Sequence, residues 1–230
     1  MNKYKLRVEI ESEAIFTSGE AESNTVSSKL LSDEYGFAYY HAKTLKGQLK
    51  KQGFWLLDQY KQMENERDRE KAFGKSLVKL FGMNKEEKEK YWSKDAKICG
   101  SAGTLKLTNL ELDPKIREFF IEMQEQDKKK GYFRLNPNDL IEAQTNIRTK
   151  IRIEDGVAKK NRLGSYHTVK KGLVFYSELY FEDEEKIYLD DFYRIAKSLK
   201  YLGAGVHRGR GRVEVNFLEN DNEYCLGGRE

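Results

Sequence analysis

The sequence predicts an α+β domain built on an antiparallel sheet. Two observations lead there. The segment Lys5, Leu6, Arg7, Val8, Glu9, Ile10 alternates polar and apolar side chains, the period-two signature of a half-buried strand. The remaining strand-like runs are short, interleave with helical patterns, and several form hairpins, which disfavours a doubly wound parallel sheet. A chain of 230 residues suits one large domain. Its 14 Tyr, 12 Phe and 2 Trp supply the apolar surface for a core.

After the first strand, residues 16–28 are rich in Ser, Glu, Thr and Asn and read as a loop. Residues 29–31 and 37–40 read as a β-hairpin around a turn containing Asp33 and Gly36. Thr44 is placed to N-cap a helix running through Leu45, Leu49, Trp55 and Leu56 towards Tyr60. Phe73, Leu77, Leu80 and Phe81 recur at helical spacing, and Gly82 ends that helix. Residues 84–97 are mostly charged and read as exposed. Residues 103–110 read as a strand. Pro114 sits at a helix start, followed by Ile116, Phe119, Phe120 and Met123 at helical spacing. A short helix covers residues 139–143. In the next strand Ile147, Thr149, Ile151 and Ile153 form an apolar face, and Arg148, Lys150 and Arg152 a basic one. Residues 173–181 form a further strand. An amphipathic helix over residues 190–201 empties into a glycine-rich loop, residues 203–211, and residues 212–217 close the domain as a strand.

No apolar run approaches the roughly 18 residues that span a bilayer. The N-terminus has neither the continuous apolar stretch nor the cleavage site of a signal peptide. Cys99 and Cys225 stand far apart without a CxxC pattern, so a disulfide framework and a thiolate zinc site are both disfavoured, and the chain reads as cytoplasmic. His41, His167 and His207 share no metal-binding spacing, and no metal site is expected.

The formal net charge is only +4, but it is unevenly distributed. Residues 43–51 hold four basic and no acidic side chains. Residues 143–172 hold eight basic and two acidic ones. Residues 200–212 hold four basic and none acidic. These segments together carry +14, leaving −10 for the rest. Such segregation is an electrostatic footprint for a polyanion, although each run taken alone also fits a solvated face. The glycine loop matches neither the dinucleotide fingerprint nor a P-loop: it follows a helix and enters a strand, and no GxxxxGK is present. Its four glycines let backbone N–H groups approach an anion, and His207, Arg208, Arg210 and Arg212 add donors. The alternative is a helix C-cap followed by an exposed basic turn.

At this loop the sequence resembles a known family. Residues 202–213, Leu-Gly-Ala-Gly-Val-His-Arg-Gly-Arg-Gly-Arg-Val, are similar to the C-terminal glycine-rich loop of the RAMP superfamily, the RNA-binding subunits of CRISPR effector complexes. Residues 33–47 resemble the hairpin leading to the family's Ser/Thr-Leu-Lys-Gly helix start. Leu80-Phe81-Gly82 resembles the end of its next helix. Residues 146–158 and the strand at 171–175 resemble its β-hairpin thumb and return strand. The order is the family's, and the match spans nearly the whole chain.

The resemblance implies a ferredoxin-like, RRM-type fold: one domain over residues 1–230, helical insertions near 60–98 and 113–145, and a basic thumb near 146–172. It implies a guide-RNA-binding subunit of a type III or type III-like complex. Guide-RNA backbone would lie across Lys43, Thr44, Lys46 and Lys50, supported by Gly203, Gly205, His207, Arg208, Gly209, Arg210 and Arg212. The thumb, with Arg148, Lys150, Arg152, Lys159, Lys160 and Arg162, would reach over the guide–target duplex. Partners would be guide RNA, complementary target RNA, other effector subunits, and copies of the chain or a paralogue; no membrane partner and no cofactor for binding are expected. Several type III backbone subunits cut target RNA with an aspartate in the loop after the first strand. Here that loop has Glu20 and Glu22 but no Asp, so binding without cutting is expected, with Mg²⁺ needed only if a glutamate supports cleavage. His41, near a basic cluster, keeps open the alternative of metal-independent processing of CRISPR RNA.

Overall fold

The computed structural model describes residues 3–17, 26–28, 30–63, 67–91, 102–132, 134–154 and 157–227; of 26–28, 150–154 and 157–163 it describes the backbone course alone. Strand β1 (Tyr4–Ile10) is the centre of the main sheet. Tyr4, Leu6, Val8 and Ile10 are buried, as period two demands, while Lys5, Arg7 and Glu9 face the open side. Strand β2 (Val26–Ser28) leaves this sheet and joins a second one.

Helix α1 (Ala42–Gln62) starts earlier than the expected Thr44 cap. His41 occupies the N-cap without a side-chain bond, and Thr44 lies inside the first turn. The reason is tertiary: Asn109 reaches across, and its Oδ1 accepts from the Ala42 backbone N–H at 2.9 Å, satisfying one orphan donor of the helix. Helix α2 (Arg67–Phe81) buries Phe73, Leu77 and Leu80 and ends at Gly82, whose φ of 71° is left-handed. Gly53 permits the close approach of α1 and α2, since a Cβ there would meet the Leu77 side chain at 2.3 Å. Part of the charged stretch expected to be merely exposed forms helix α3 (Lys85–Tyr91), where Tyr91 stacks on Phe54 with ring centroids 4.3 Å apart.

The strand expected over 103–110 divides into β3 (Lys106–Leu107) and β4 (Glu111–Leu112). Between them the Thr108 hydroxyl accepts from the Glu178 backbone N–H at 2.9 Å, a side chain standing in for the ladder. Helix α4 (Pro114–Lys130) is capped by the Asp113 carboxylate and closed by left-handed Gly131. Helix α5 (Pro137–Gln144) opens with a capping box between Asn136 and Asp139. Its last residue, buried Gln144, accepts from Ala38 N–H and donates to Gly36 carbonyl oxygen, both at 2.9 Å, which fixes the 33–38 turn against the base of the next hairpin.

That hairpin pairs β5 (Thr145–Glu154) antiparallel with β6 (Val157–Val169), and β2 adds parallel to β6. Ile147 is 61% exposed, so the apolar face expected there is not buried at this position, although Thr145, Thr168 and Val169 at the hairpin's base are. Strand β7 (Val174–Tyr180) returns to the main sheet. Helix α6 (Lys186–Ser198) begins and ends somewhat before the expected 190–201. Strand β8 (Val213–Glu219) and short β9 (Asn222–Glu223) complete the sheet.

The sheet order is β3-β7-β1-β8-β9, with β4 also on β7, and all its pairings are antiparallel. The path β1-α1-β3/β4-β7-α6-β8 is therefore a βαββαβ, ferredoxin-like unit, with β1 between β7 and β8. Helix α6 packs on β8 and against α1 and α2. At its heart, Phe217 meets Tyr4, Phe181, Phe192 and Tyr224, all with ring centroids within 6.1 Å. A buried ring of this kind contributes about 1.5–3 kcal/mol relative to exposure. Among the described residues, no helix is long and apolar enough to cross a membrane.

Candidate nucleic-acid interface

The site grows out of the chain just past β1. Residues 11–17 run between the base of the hairpin and the glycine loop and bond to both. On one side Ala14 bridges Val169 of β6, with N···O distances of 3.1 and 2.7 Å. On the other, Ala204 N–H donates to Ile15 oxygen at 3.0 Å and Gly211 N–H to Glu13 oxygen at 2.8 Å. The Ser12 hydroxyl donates to Gly209 oxygen at 3.1 Å and accepts from Arg212 N–H at 2.9 Å.

Glycine is required where the loop makes these contacts. Gly203 (φ 85°) and Gly211 (φ 72°) are left-handed, and a Cβ would stand 2.4 Å from Ile15 oxygen or 2.0 Å from Leu202 oxygen. Gly205 and Gly209, also left-handed, bracket a single 3₁₀ turn (Val206–Arg208) that lifts His207 and Arg208 into solvent. The loop is thus more than a helix C-cap followed by an exposed turn.

The Glu13 carboxylate sits between loop and hairpin. It accepts from Arg148 Nε at 3.0 Å and from the same guanidinium through Nη2, from Arg210 Nη1 at 3.0 Å, from Asn146 Nδ2 at 3.0 Å and from the Thr168 hydroxyl at 3.2 Å. Arg148 is the main cause that holds its pKa down to about 2; partial burial opposes this, and Asn146 and Arg210 reinforce it. Glu13 is therefore ionised at neutral pH, and two arginines against one carboxylate leave the cluster at +1. Arg210 also lies over the Tyr166 ring of β6, 5.4 Å from its centroid. Beside them, burial lowers the pKa of His167, whose Nδ1 is 3.1 Å from the Thr145 hydroxyl.

The start of α1 meets the same loop. A cavity of about 240 Å³ is lined by Thr17, Tyr40, His41, Thr44, Gln48 and Gly203 among others. Lys43 and Thr44 are exposed there. The expected lysine row divides. Lys46 turns inward to donate to Leu105 oxygen at 2.5 Å, and burial, with Lys50 and Lys106 nearby, lowers its pKa. Lys50 is paired with Glu87 of α3 at 2.6 Å. Arg212 pairs with Glu11 at 2.8 Å.

The structure thus brings His41 and Thr44 to Gly203 at one end of the loop, joins Arg148 and Arg210 through Glu13, and directs Lys46 and Lys50 elsewhere. The side chains of Lys150, Arg152, Lys159, Lys160 and Arg162 lie outside the described residues, as do Glu20, Glu22 and Cys99. Among the described residues, no group of three or more His, Cys, Asp or Glu could hold a metal ion. Sequence reasoning missed Glu13, Asn146, Tyr166 and Thr168. The one available signal was an acid placed just beyond a strand end, in a chain with basic segments in search of a counter-charge.

A larger cavity, about 880 Å³, lies on the open face of the sheet between β1, β7 and α4. Three of its charges are paired, Lys5 with Asp221 at 2.6 Å, Arg7 with Glu9 at 2.8 Å, and Glu111 with Arg117; Asp113, Lys115 and Glu178 line it as well.

Comparisons with known proteins bear on the family and the fold. The family model described as "RAMPs: RAMP superfamily" matches residues 7–214. No curated protein matches. Among solved structures, the chain is similar to one from a type III-B Cmr-beta complex bound to cognate target RNA, with a TM-score of 0.60 and 15% identity, covering 93% of this chain and 96% of that one. The apo state of Cmr-beta gives 0.60 at 13% identity, covering 95% and 98%. A type IV-B CRISPR complex gives 0.52 at 11%, covering 99% and 95%. At these identities the likeness is one of fold.

Proposed function

The chain belongs to the RAMP superfamily, and on that premise we propose that it is a guide-RNA-binding subunit of a type III-like CRISPR ribonucleoprotein effector complex for antiviral defence. The carrying observation is the junction at residues 11–17. There the glycine loop and the base of the basic hairpin share one carboxylate, and the loop also borders the start of α1. Guanidinium forks are donors that suit phosphates, while the loop spends the N–H groups of Gly209 and Gly211 on Val206 and Glu13 oxygens and so serves to hold those forks in place. Exposed Arg208 and Lys43, the outer face of Arg148 and the Thr44 hydroxyl would hold RNA backbone, while base pairing between guide and target reads sequence. The folds of subunits from Cmr-beta and type IV-B complexes support the same setting. Partners are guide RNA, complementary target RNA, other effector subunits, and a further copy or paralogue beside it. Binding itself uses no cofactor.

The test is purification after co-expression with the neighbouring genes, followed by sequencing of the bound RNA. Repeat-derived RNA of defined length supports the proposal. Protein free of nucleic acid, with a 260/280 nm absorbance ratio typical of protein alone, would refute it. Incubating the assembled complex with target RNA, with and without Mg²⁺, separates a binding subunit from a cutting one.

A further inference from the structure

From the four side chains that meet its carboxylate, we infer that Glu13 is a positioning residue for RNA binding: an acidic brace that locks the base of the hairpin to the glycine loop, so that Arg148 and Arg210 present one preformed anion site. The inference rests on the RNA-binding reading above and adds a residue that neither charge nor motif would select.

An acid beside a phosphate track repels the ligand, so its place there needs a reason. The geometry supplies one. Arg148 and Asn146 stand on β5, Thr168 on β6 and Arg210 on the loop, separated from Glu13 by 133 to 197 residues of chain. One carboxylate has about four lone-pair directions, and here four side chains from three elements take them. Thr168 is buried and fixed in the hairpin, whereas Arg148 would otherwise be a mobile surface side chain. Arg148 remains 50% exposed while so held, and a guanidinium has more N–H donors than the carboxylate consumes. The backbone doubles the connection through Ala14 to Val169 and Ile15 to Ala204. Tyr166 adds a surface on which Arg210 rests. Ordering these groups before RNA arrives removes an entropy cost from binding.

Glu13→Gln separates this role from simple repulsion, because the two predict opposite signs. Removing a negative charge from a basic surface, by electrostatics alone, tightens RNA binding. Loss of the brace weakens it, by about tenfold, the scale of coupling in a side-chain network. The loss should shrink in an Arg210→Ala background, where Glu13 has only Arg148 left to position; a general effect on folding would persist there undiminished. Amide hydrogen exchange of the RNA-free protein gives a second readout: Glu13→Gln should speed exchange at residues 145–149, 165–169 and 203–211 and leave β7 unchanged. Tighter RNA binding by Glu13→Gln, or an equal loss in the Arg210→Ala background, overturns the brace; so does unchanged exchange in those segments. If wild-type protein fails to bind guide RNA, the RNA-binding reading fails, and hydrogen exchange still decides whether hairpin and loop are joined through Glu13.

Discussion

Two lysines of α1, Lys46 and Lys50, and three arginines of the loop and hairpin, Arg148, Arg208 and Arg210, carry the same charge and are used in opposite ways. Lys46 and Lys50 lie one turn apart on α1 and are spent inside the molecule, on a carbonyl oxygen and on Glu87. Arg148 and Arg210 share Glu13 and keep a net positive charge, and Arg208 stands in solvent on a 3₁₀ turn. A basic run in the sequence is therefore not the same as a basic surface. What decides is whether the cation's partner leaves it exposed, as Glu13 leaves Arg148, or draws it against the protein, as Leu105 oxygen and Glu87 draw Lys46 and Lys50.

The sharpest way to break the comparison is to disturb the loop itself. Gly211→Ala must place a Cβ 2.0 Å from Leu202 oxygen at φ 72°, and should cost about 3 kcal/mol in urea unfolding. Gly209→Ala has the same φ and open space, and should cost only about 1 kcal/mol. Equal costs would mean that the loop is not closed between Leu202 and Gly211.

The next largest effect tests the two kinds of cation against each other. Arg208→Glu should weaken guide-RNA binding about tenfold at 0.1 M salt, whereas Lys50→Gln should change it by less than about twofold. Lys50→Gln instead loses the pair with Glu87, worth at most about 1 kcal/mol of stability. A larger RNA effect at Lys50 than at Arg208 would reverse the assignment. Asn109→Ala removes the acceptor at the start of α1 and should cost about 1 kcal/mol on denaturation, in the manner of an N-cap.

The smallest effect is a pH dependence. The Glu13 pKa is lowered from 4.5 to about 2, so its contribution is fully present above about 4.5 and is lost as pH falls towards 2. Urea midpoints of wild type and Glu13→Gln should therefore differ at pH 7 and converge at low pH. A gap that stays constant from pH 7 to pH 2.5 would show that Glu13 does not act as a carboxylate.

Much of the fold was legible because it follows from local chemistry. The alternation in β1, the helical spacing of Phe73, Leu77 and Leu80, Pro114 at a helix start and the glycines of the loop all act over a few residues. Two of the misread boundaries share one cause, a distant partner. Asn109 starts α1 before Thr44, and Thr108 splits a strand by bonding to Glu178. Ile147 is exposed although it follows the alternation of a half-buried strand, so at this position alternation does not report burial. The site was legible in its motifs and not in its wiring. Glycine and arginine spacing marked the loop, but Glu13 meets Arg210 across 197 residues, and no local pattern encodes that.

The central claim is that loop and hairpin form one phosphate-binding surface. Its most direct test is the slope of log Kd for guide RNA against log salt, measured for wild type and for Arg208→Ala. The account predicts a steep slope that becomes shallower by about one unit when this single cation is removed. A flat dependence, or a slope that Arg208→Ala leaves untouched, would contradict it.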